Sequence, residues 1–204
     1  MRSTPLFIFL TLFTTTVFAQ SPYHKMGERA LINGDFKSAV SSLEKALAAD
    51  TNDVNTLYML GYSYYHSGNY NKAVATFNRV ISLKPSENSA YYYRGKARNI
   101  MANDTKGMSN PDREKLLLSS IRDFSKAIDL NAEDVKLYQN RAVAYRDYGV
   151  LKGQKIPGFY DKAKAVNAFR SCIGDFEKVL SLTPGRKDIT TQLEDAKSYL
   201  KNLN

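Results

Sequence analysis

The groups in this sequence that could do covalent or metal chemistry are few. Its 204 residues hold one cysteine, Cys172, and two histidines, His24 and His66. A thiolate beside an imidazole can act as a nucleophile, and imidazoles joined by carboxylates can hold zinc. Neither constellation is present. Cys172 begins the run Cys172-x3-Phe176-x2-Val179, an apolar helical spacing in which it fills a small core slot as a buried thiol. One thiol cannot close a disulfide within the chain, and a zinc cluster of the Cys/His kind needs about four ligands. His24 and His66 have no carboxylate company at ligand spacing and read as surface histidines. Carboxylates such as Glu28 and Asp35 lack a supporting constellation. No phosphate-cradling glycine loop, nucleophile elbow or metal-binding helix motif occurs. The expectation is a non-enzymatic protein with no cofactor and no metal.

The residues suited to binding are more numerous. The chain has 14 tyrosines and no tryptophan, and 29 Lys and Arg against 20 Asp and Glu give a net charge of +9. Tyrosine offers a large contact area and a polar tip at low entropic cost. The basic residues are spread rather than gathered into a stripe, so a nucleic-acid surface is not expected. Attraction to an acidic partner is the milder reading of the charge. With 43% hydrophobic residues the chain is expected to fold.

Those tyrosines need elements to position them, and the elements repeat. Gly34-Asp35-Phe36 and Gly68-Asn69-Tyr70 stand 34 residues apart, as do Gly27 and Gly61, Ala39 and Ala73, Leu43 and Phe77, and Ala46 and Val80. The pattern predicts one amphipathic helix over 54–67, a turn at Gly68-Asn69, and a second helix over 70–83 stopped by Pro85.

The run Leu57-x2-Leu60-Gly61-x2-Tyr64, then Ala73-x3-Phe77, then Pro85, resembles a tetratricopeptide repeat, with Leu57 where the family pattern has Trp. The resemblance implies an all-α, right-handed solenoid of about four helix A–helix B hairpins, with a C-terminal capping helix. The units fall at 20–53, 54–87, 88–134 and 135–186, with the cap at 187–204. In the third unit the small residue of helix B comes 13 residues later than the period places it, and in the fourth 18 later. Two polar, turn-rich stretches, 101–112 and 149–158, are expected to be loops, with Asn110 capping a lengthened helix that starts at Pro111, and with a last lengthened helix over 159–182. Both insertions would project from one edge of the stack, as a binding face or as tolerated surface loops.

The resemblance also implies a concave groove lined by the A helices. Carried over residue by residue, it gives Asn55, Tyr58, Tyr62 and Tyr65 from the second unit, Tyr92, Tyr93 and Lys96 from the third, and Asn140 and Arg146 from the fourth. Such a surface suits a peptide or a partner helix, although some of the tyrosines could instead pack between hairpins or against the insertions. The family's clamp for a C-terminal carboxylate is not supported, since its positions hold His24, Glu28, Met59, Ser89 and Tyr93. Arg94 and Arg141, next to the small residue of helix A, are expected to brace neighbouring helices.

Residues 1–19 have the layout of a secretory signal peptide: Arg2, an apolar stretch from Leu6 to Phe18, and Ala19 before the cut. That stretch is shorter than the ~20 residues a membrane-spanning helix needs, and no later segment is apolar for long enough. The expectation is an exported adaptor, periplasmic rather than extracellular, that binds another protein or peptide in the cell envelope. The alternative is a structural component that self-associates end to end.

Overall fold

Two glycines at the same point of the repeat shape the first half of the molecule. Gly34 and Gly68 have φ of 72° and 79°, the left-handed region open to glycine. In each turn the glycine N–H bonds back to the residue three before it, and the next N–H reaches five residues back: Gly34 to Leu31 and Asp35 to Ala30, Gly68 to Tyr65 and Asn69 to Tyr64. This Schellman arrangement satisfies the last carbonyls of one helix. The side chains of Asp35 and Asn69 then accept from the N–H of Ser38 and Lys72, which starts the next helix.

The computed structural model describes residues 21–104 and 107–203. The leader expected over residues 1–19 lies outside them. The described residues form nine α-helices: Pro22–Ile32 (α1), Phe36–Leu47 (α2), Val54–His66 (α3), Tyr70–Leu83 (α4), Asn88–Asn103 (α5), Asn110–Leu130 (α6), Val135–Gly153 (α7), Lys162–Leu182 (α8) and Lys187–Leu203 (α9). They pair as antiparallel hairpins α1/α2, α3/α4, α5/α6 and α7/α8, with α9 closing the stack against α8. The odd-numbered helices also touch one another, α1 with α3, α3 with α5 and α5 with α7. The even-numbered helices meet through the odd-numbered helix between them. The odd-numbered helices therefore line the shorter, inner side of an all-α solenoid.

Small residues on the inner helices admit large ones from their partners. A Cβ on Gly61 would lie 2.9 Å from the Phe77 ring, and one on Gly27 would lie 2.6 Å from Leu43. Leu43, Leu57, Phe77, Phe124 and Phe176 are fully buried or nearly so. Each contributes about 2–3 kcal/mol of burial free energy. Cys172 takes the small slot before Phe176 and is fully buried. Burial pushes its thiol up to about 12, so it stays protonated and unreactive.

The structure corrects the loops expected in the second half. Helix α5 continues through Asn103 and α6 begins at Asn110, so half of 101–112 is helical. The cap of α6 is Ser109 rather than Asn110, and Pro111 is its second residue. Likewise α7 continues through Gly153, and α8 starts at Lys162 behind an Asp161 cap rather than at 159. The extra residues lengthen both helices of each hairpin, and the packing shows why. Seven residues beyond the Gly95–Phe124 contact, Ala102 and Leu117 are both fully buried in one core cluster. Seven residues beyond Ala142 and Phe176, Gly149 meets Phe169, whose ring would lie 2.9 Å from an added Cβ. Each insertion thus adds two helical turns bearing the same small-against-large contact.

His24 is also corrected: it is buried, at 6% exposure, not a surface histidine. It sits where α1 meets α3, with Nδ1 2.6 Å from Thr56 Oγ1, whose hydroxyl donates to Asp53 at 2.5 Å. The polar link explains how an imidazole is accommodated between two inner helices.

Candidate functional site: an aromatic face on the inner helices

The register of α3 and α5 decides what the inner side presents. Positions three and four apart lie on one helical face, so Tyr58, Tyr62 and Tyr65 form one stripe on α3, and Tyr92, Tyr93 and Lys96 another on α5. The two stripes meet. Tyr93 is the hub, with its ring centroid 5.1 Å from Tyr62, 5.4 Å from Tyr65, 5.0 Å from Tyr92 and 6.4 Å from Tyr58. These four contacts are edge-to-face, the arrangement that the ring quadrupole favours. Tyr93 also stacks at 6.0 Å on Phe77 of α4, which ties the face to the core. All five tyrosines are half-buried, so each keeps part of its surface open.

Lys96 completes the group. Its Nζ lies 5.3 Å from the Tyr65 ring centroid and 5.4 Å from that of Tyr92. Burial is the first cause that raises the pKa values of the Tyr58, Tyr65 and Tyr93 phenols. Their hydroxyls therefore remain protonated donors through the physiological range. His66 is held below its usual value, by burial first and by the Lys96 charge second.

The remaining predicted site residues lie apart from this group. Asn55 is exposed at the first turn of α3, where its N–H donates to the Asp53 cap at 3.0 Å. Asn140 Nδ2 donates to the Lys136 carbonyl of its own helix at 2.7 Å. Arg146 joins a polar network between α5 and α7: its Nη2 lies 2.9 Å from Asp147 Oδ1. Asp147 also accepts from Asn99 at 3.1 Å and from Asn103 at 2.7 Å. The inner side is aromatic across α3 and α5 and polar across α5 and α7.

Sequence reasoning missed two aromatic members of this face. Phe36, the first residue of α2, stacks on His66 at 4.8 Å with the planes 19° apart, and both rings lie within 6.2 Å of Tyr62. Tyr70, the first residue of α4, packs 5.7 Å from Tyr65. Phe36 and Tyr70 follow the turn residue in successive repeats, and that shared aromatic was the available signal.

Arg94 and Arg141 do brace helices. Arg94 forks onto Asp123 of α6 at 2.6 Å and reaches Asn78 of α4 at 2.8 Å. Arg141 forks onto Asp175 of α8 at 2.7 Å and reaches Ser125 of α6 at 3.1 Å. Each arginine thereby joins its own hairpin to the one before it.

Residues 30–98 match the tetratricopeptide repeat family model. The chain is 28% identical to rat (Rattus norvegicus) serine/threonine-protein phosphatase 5, over 41% of this chain and 20% of that protein. It therefore spans about a fifth of the length of that relative. Among solved structures it is similar to the MamA protein, at 23% identity with a TM-score of 0.56, covering 89% of this chain and 87% of that one. It is also similar to TTC0263, a tetratricopeptide repeat protein of Thermus thermophilus, at 16% identity and a TM-score of 0.55, covering 88% and 100%. The first tetratricopeptide domain of Spaghetti (RPAP3), bound to the HSP90 peptide SRMEEVD, aligns at 19% identity and a TM-score of 0.53, covering 74% and 96%. These likenesses show the solenoid fold.

Proposed function

We propose that this chain is a non-enzymatic protein-interaction scaffold that holds a peptide or partner helix against the aromatic face of α3 and α5. The observation that carries this reading is the convergence of five half-buried tyrosines and Lys96 around Tyr93. Aromatic surface of this kind, contiguous and partly open, is what recognition sites are built from. A structural neighbour of the same fold holds a peptide, which supports a peptide as ligand here. The deeply buried Cys172 is in no position to act as a nucleophile. The leader-like residues 1–19 support export, with the periplasm as the compartment and an envelope protein as the partner. Mass measurement of the secreted chain tests that: a mature protein beginning near Gln20 supports it, and an intact leader in the cytosolic fraction removes it.

The scaffold reading is tested by affinity capture from envelope extract, with the native protein beside the Tyr62→Ala/Tyr92→Ala double variant. Both rings are half-buried, so the variant is expected to fold and to lose the partner. A partner held equally by both proteins overturns the assignment of the face.

A second reading, end-to-end self-association, is favoured by the apolar residues α1 leaves open at one end of the stack: Tyr23 at 43%, Met26 at 56% and Ile32 at 80% exposure. Sedimentation equilibrium decides it, since a concentration-independent monomer counts against it.

A further inference from the structure

Lys96 differs from the other cations that α5 and α7 fold into the protein. Arg94 and Arg98 meet Asp123, Arg141 meets Asp175, Arg146 meets Asp147 and Lys152 meets Glu114. Lys96 is half-buried too, yet no carboxylate among the described residues lies within ion-pair distance of it. Its ammonium is held between two tyrosine rings instead. A ring face attracts a cation by roughly 0.5–2 kcal/mol but accepts no strong hydrogen bond. The rings therefore leave its three N–H donors available to a ligand.

Among the described residues no ion pair answers that charge. The Tyr65 and Tyr92 rings and His66 lie against Lys96, and the carboxylate that the Tyr58 phenol feels, Glu87, is taken by Lys84 at 2.8 Å. The positive field is felt locally, because Lys96 is one of the two causes that lower the His66 pKa. Farther along the inner side the one carboxylate in the polar network, Asp147, is occupied by Arg146, Asn99 and Asn103. An unanswered ammonium, fixed by rings at the centre of a binding face, selects for an anionic ligand.

The geometry points to an acidic peptide as the occupant of this face. An extended segment would set an internal Glu or Asp carboxylate on Lys96 Nζ, with its flanking side chains on the rings of Tyr62 and Tyr92. This rests on the scaffold reading and deepens it. It places the anion within the ligand chain rather than at its end. The acidic ligand also matches a protein whose net charge is +9.

The test uses three short peptide libraries, C-terminally amidated, with random flanks and a central Glu, Gln or Lys, passed over the immobilised protein. The Glu library is expected to be retained about tenfold better than the Gln library, as a charge-assisted hydrogen bond allows, and the Lys library least. High salt should narrow the gap. Lys96→Met should bring the Glu-to-Gln ratio to about one, and Lys96→Arg should restore most of it, since Arg keeps the charge. Circular dichroism and a melting curve on each variant check that the fold is retained. Equal retention of the Glu and Gln libraries by the native protein, or a preference that survives Lys96→Met, overturns the inference. If retention is equal but vanishes in Tyr62→Ala/Tyr92→Ala, the aromatic face stands and its acidic specificity falls. If the native protein retains no library better than that double variant, both readings fall.

Discussion

The first two hairpins and the last two solve one packing problem with different chemistry. The problem is how to lock each hairpin to its neighbour at the residue just before the small position of the inner helix. In α3 that residue is Leu60, buried in the core, and the facing position on α4 is Thr76, whose hydroxyl turns back to its own helix at Lys72. In α5 and α7 the residues are Arg94 and Arg141, and the facing positions are Asp123 and Asp175. The third partner repeats as well: Asn78 and Ser125 occupy equivalent places on the preceding outer helices. At this position the second hairpin relies on apolar area, which is non-directional and forgiving. The carboxyl-terminal half relies on forked ion pairs, which fix geometry but leave a large penalty if one partner is removed. The inner side changes along the stack too, aromatic across α3 and α5 and polar across α5 and α7.

That contrast is broken most severely at Asp123. This carboxylate is 3% exposed and receives both Arg94 and Arg98. Asp123→Ala leaves two guanidinium groups without their acceptor and should cost about 3–5 kcal/mol. The matched change in the first half, Thr76→Val, removes a hydroxyl bonded only to its own helix and should cost under about 1 kcal/mol. Urea denaturation of the two variants measures the difference. Similar losses at both sites would mean that the ion pairs lock nothing that apolar packing does not.

Alkaline pH tests the buried thiol of the fourth hairpin next. Burial lifts the Cys172 thiol to about 12, and burial with the nearby Glu114 lifts the Tyr148 phenol to about 12. Both groups keep protons in the folded protein that the unfolded chain releases, the thiol from about pH 8.5 upward. Unfolding therefore releases protons in this range, and stability falls as pH rises toward 12. Its full contribution is present below about pH 8.5. Cys172→Ala places in the fourth hairpin the residue that the second has at Ala73. It should cost about 1 kcal/mol or less at neutral pH. Above pH 9 it should remove a slope of up to about 1.4 kcal/mol per pH unit. An unchanged alkaline slope in the variant would refute the assignment to Cys172.

How much of this was legible in the sequence follows the same division. The turns at Gly34 and Gly68 and the Gly61–Phe77 contact were readable because sterics leave few residue types for those positions. The bracing by Arg94 and Arg141 was readable from register alone. The lengthening of α6 and α8 was legible, but that of α5 and α7 was missed because Asn103 and Gly153 are turn-forming residues, and local propensity favoured loops over 101–112 and 149–158. Tertiary packing overrode it through the seven-residue steps from Gly95 to Ala102 and from Phe124 back to Leu117, a pattern visible only when both helices are read together. On the inner face, the stripes of Tyr58, Tyr62 and Tyr65 and of Tyr92, Tyr93 and Lys96 followed from helical spacing. Tyr93 as hub and Phe36 on His66 did not, because those contacts join different helices. Asn55, Asn140 and Arg146 shared the expected register but sit outside the aromatic group, since register fixes a direction and not a neighbour.

The smallest expected effects test whether the long hairpins end as firmly as the short ones. Gly68 and Gly158 both have positive φ, and an added Cβ would meet nothing at either. Any cost of alanine therefore comes from the backbone alone. Gly68 is fixed by two hydrogen bonds that span its turn, Gly68 to Tyr65 and Asn69 to Tyr64. It cannot leave the left-handed region without breaking them, so Gly68→Ala should cost about 1 kcal/mol. Gly158 lies in the loop 154–161, which is anchored on either side of it. Asp161 N–H bonds to the Lys152 carbonyl at 3.0 Å, and the Lys152 ammonium sits 3.8 Å from the Phe159 ring centroid. Two backbone hydrogen bonds also enclose Gly158, from the Phe159 N–H at 3.1 Å and the Tyr160 N–H at 3.0 Å to the Ile156 carbonyl, so Gly158→Ala should cost a similar amount, about 1 kcal/mol. Urea midpoints compare the two losses when both variants share one m-value. A clearly smaller loss at Gly158 would show that the long loop yields where the Schellman turn at Gly68 does not.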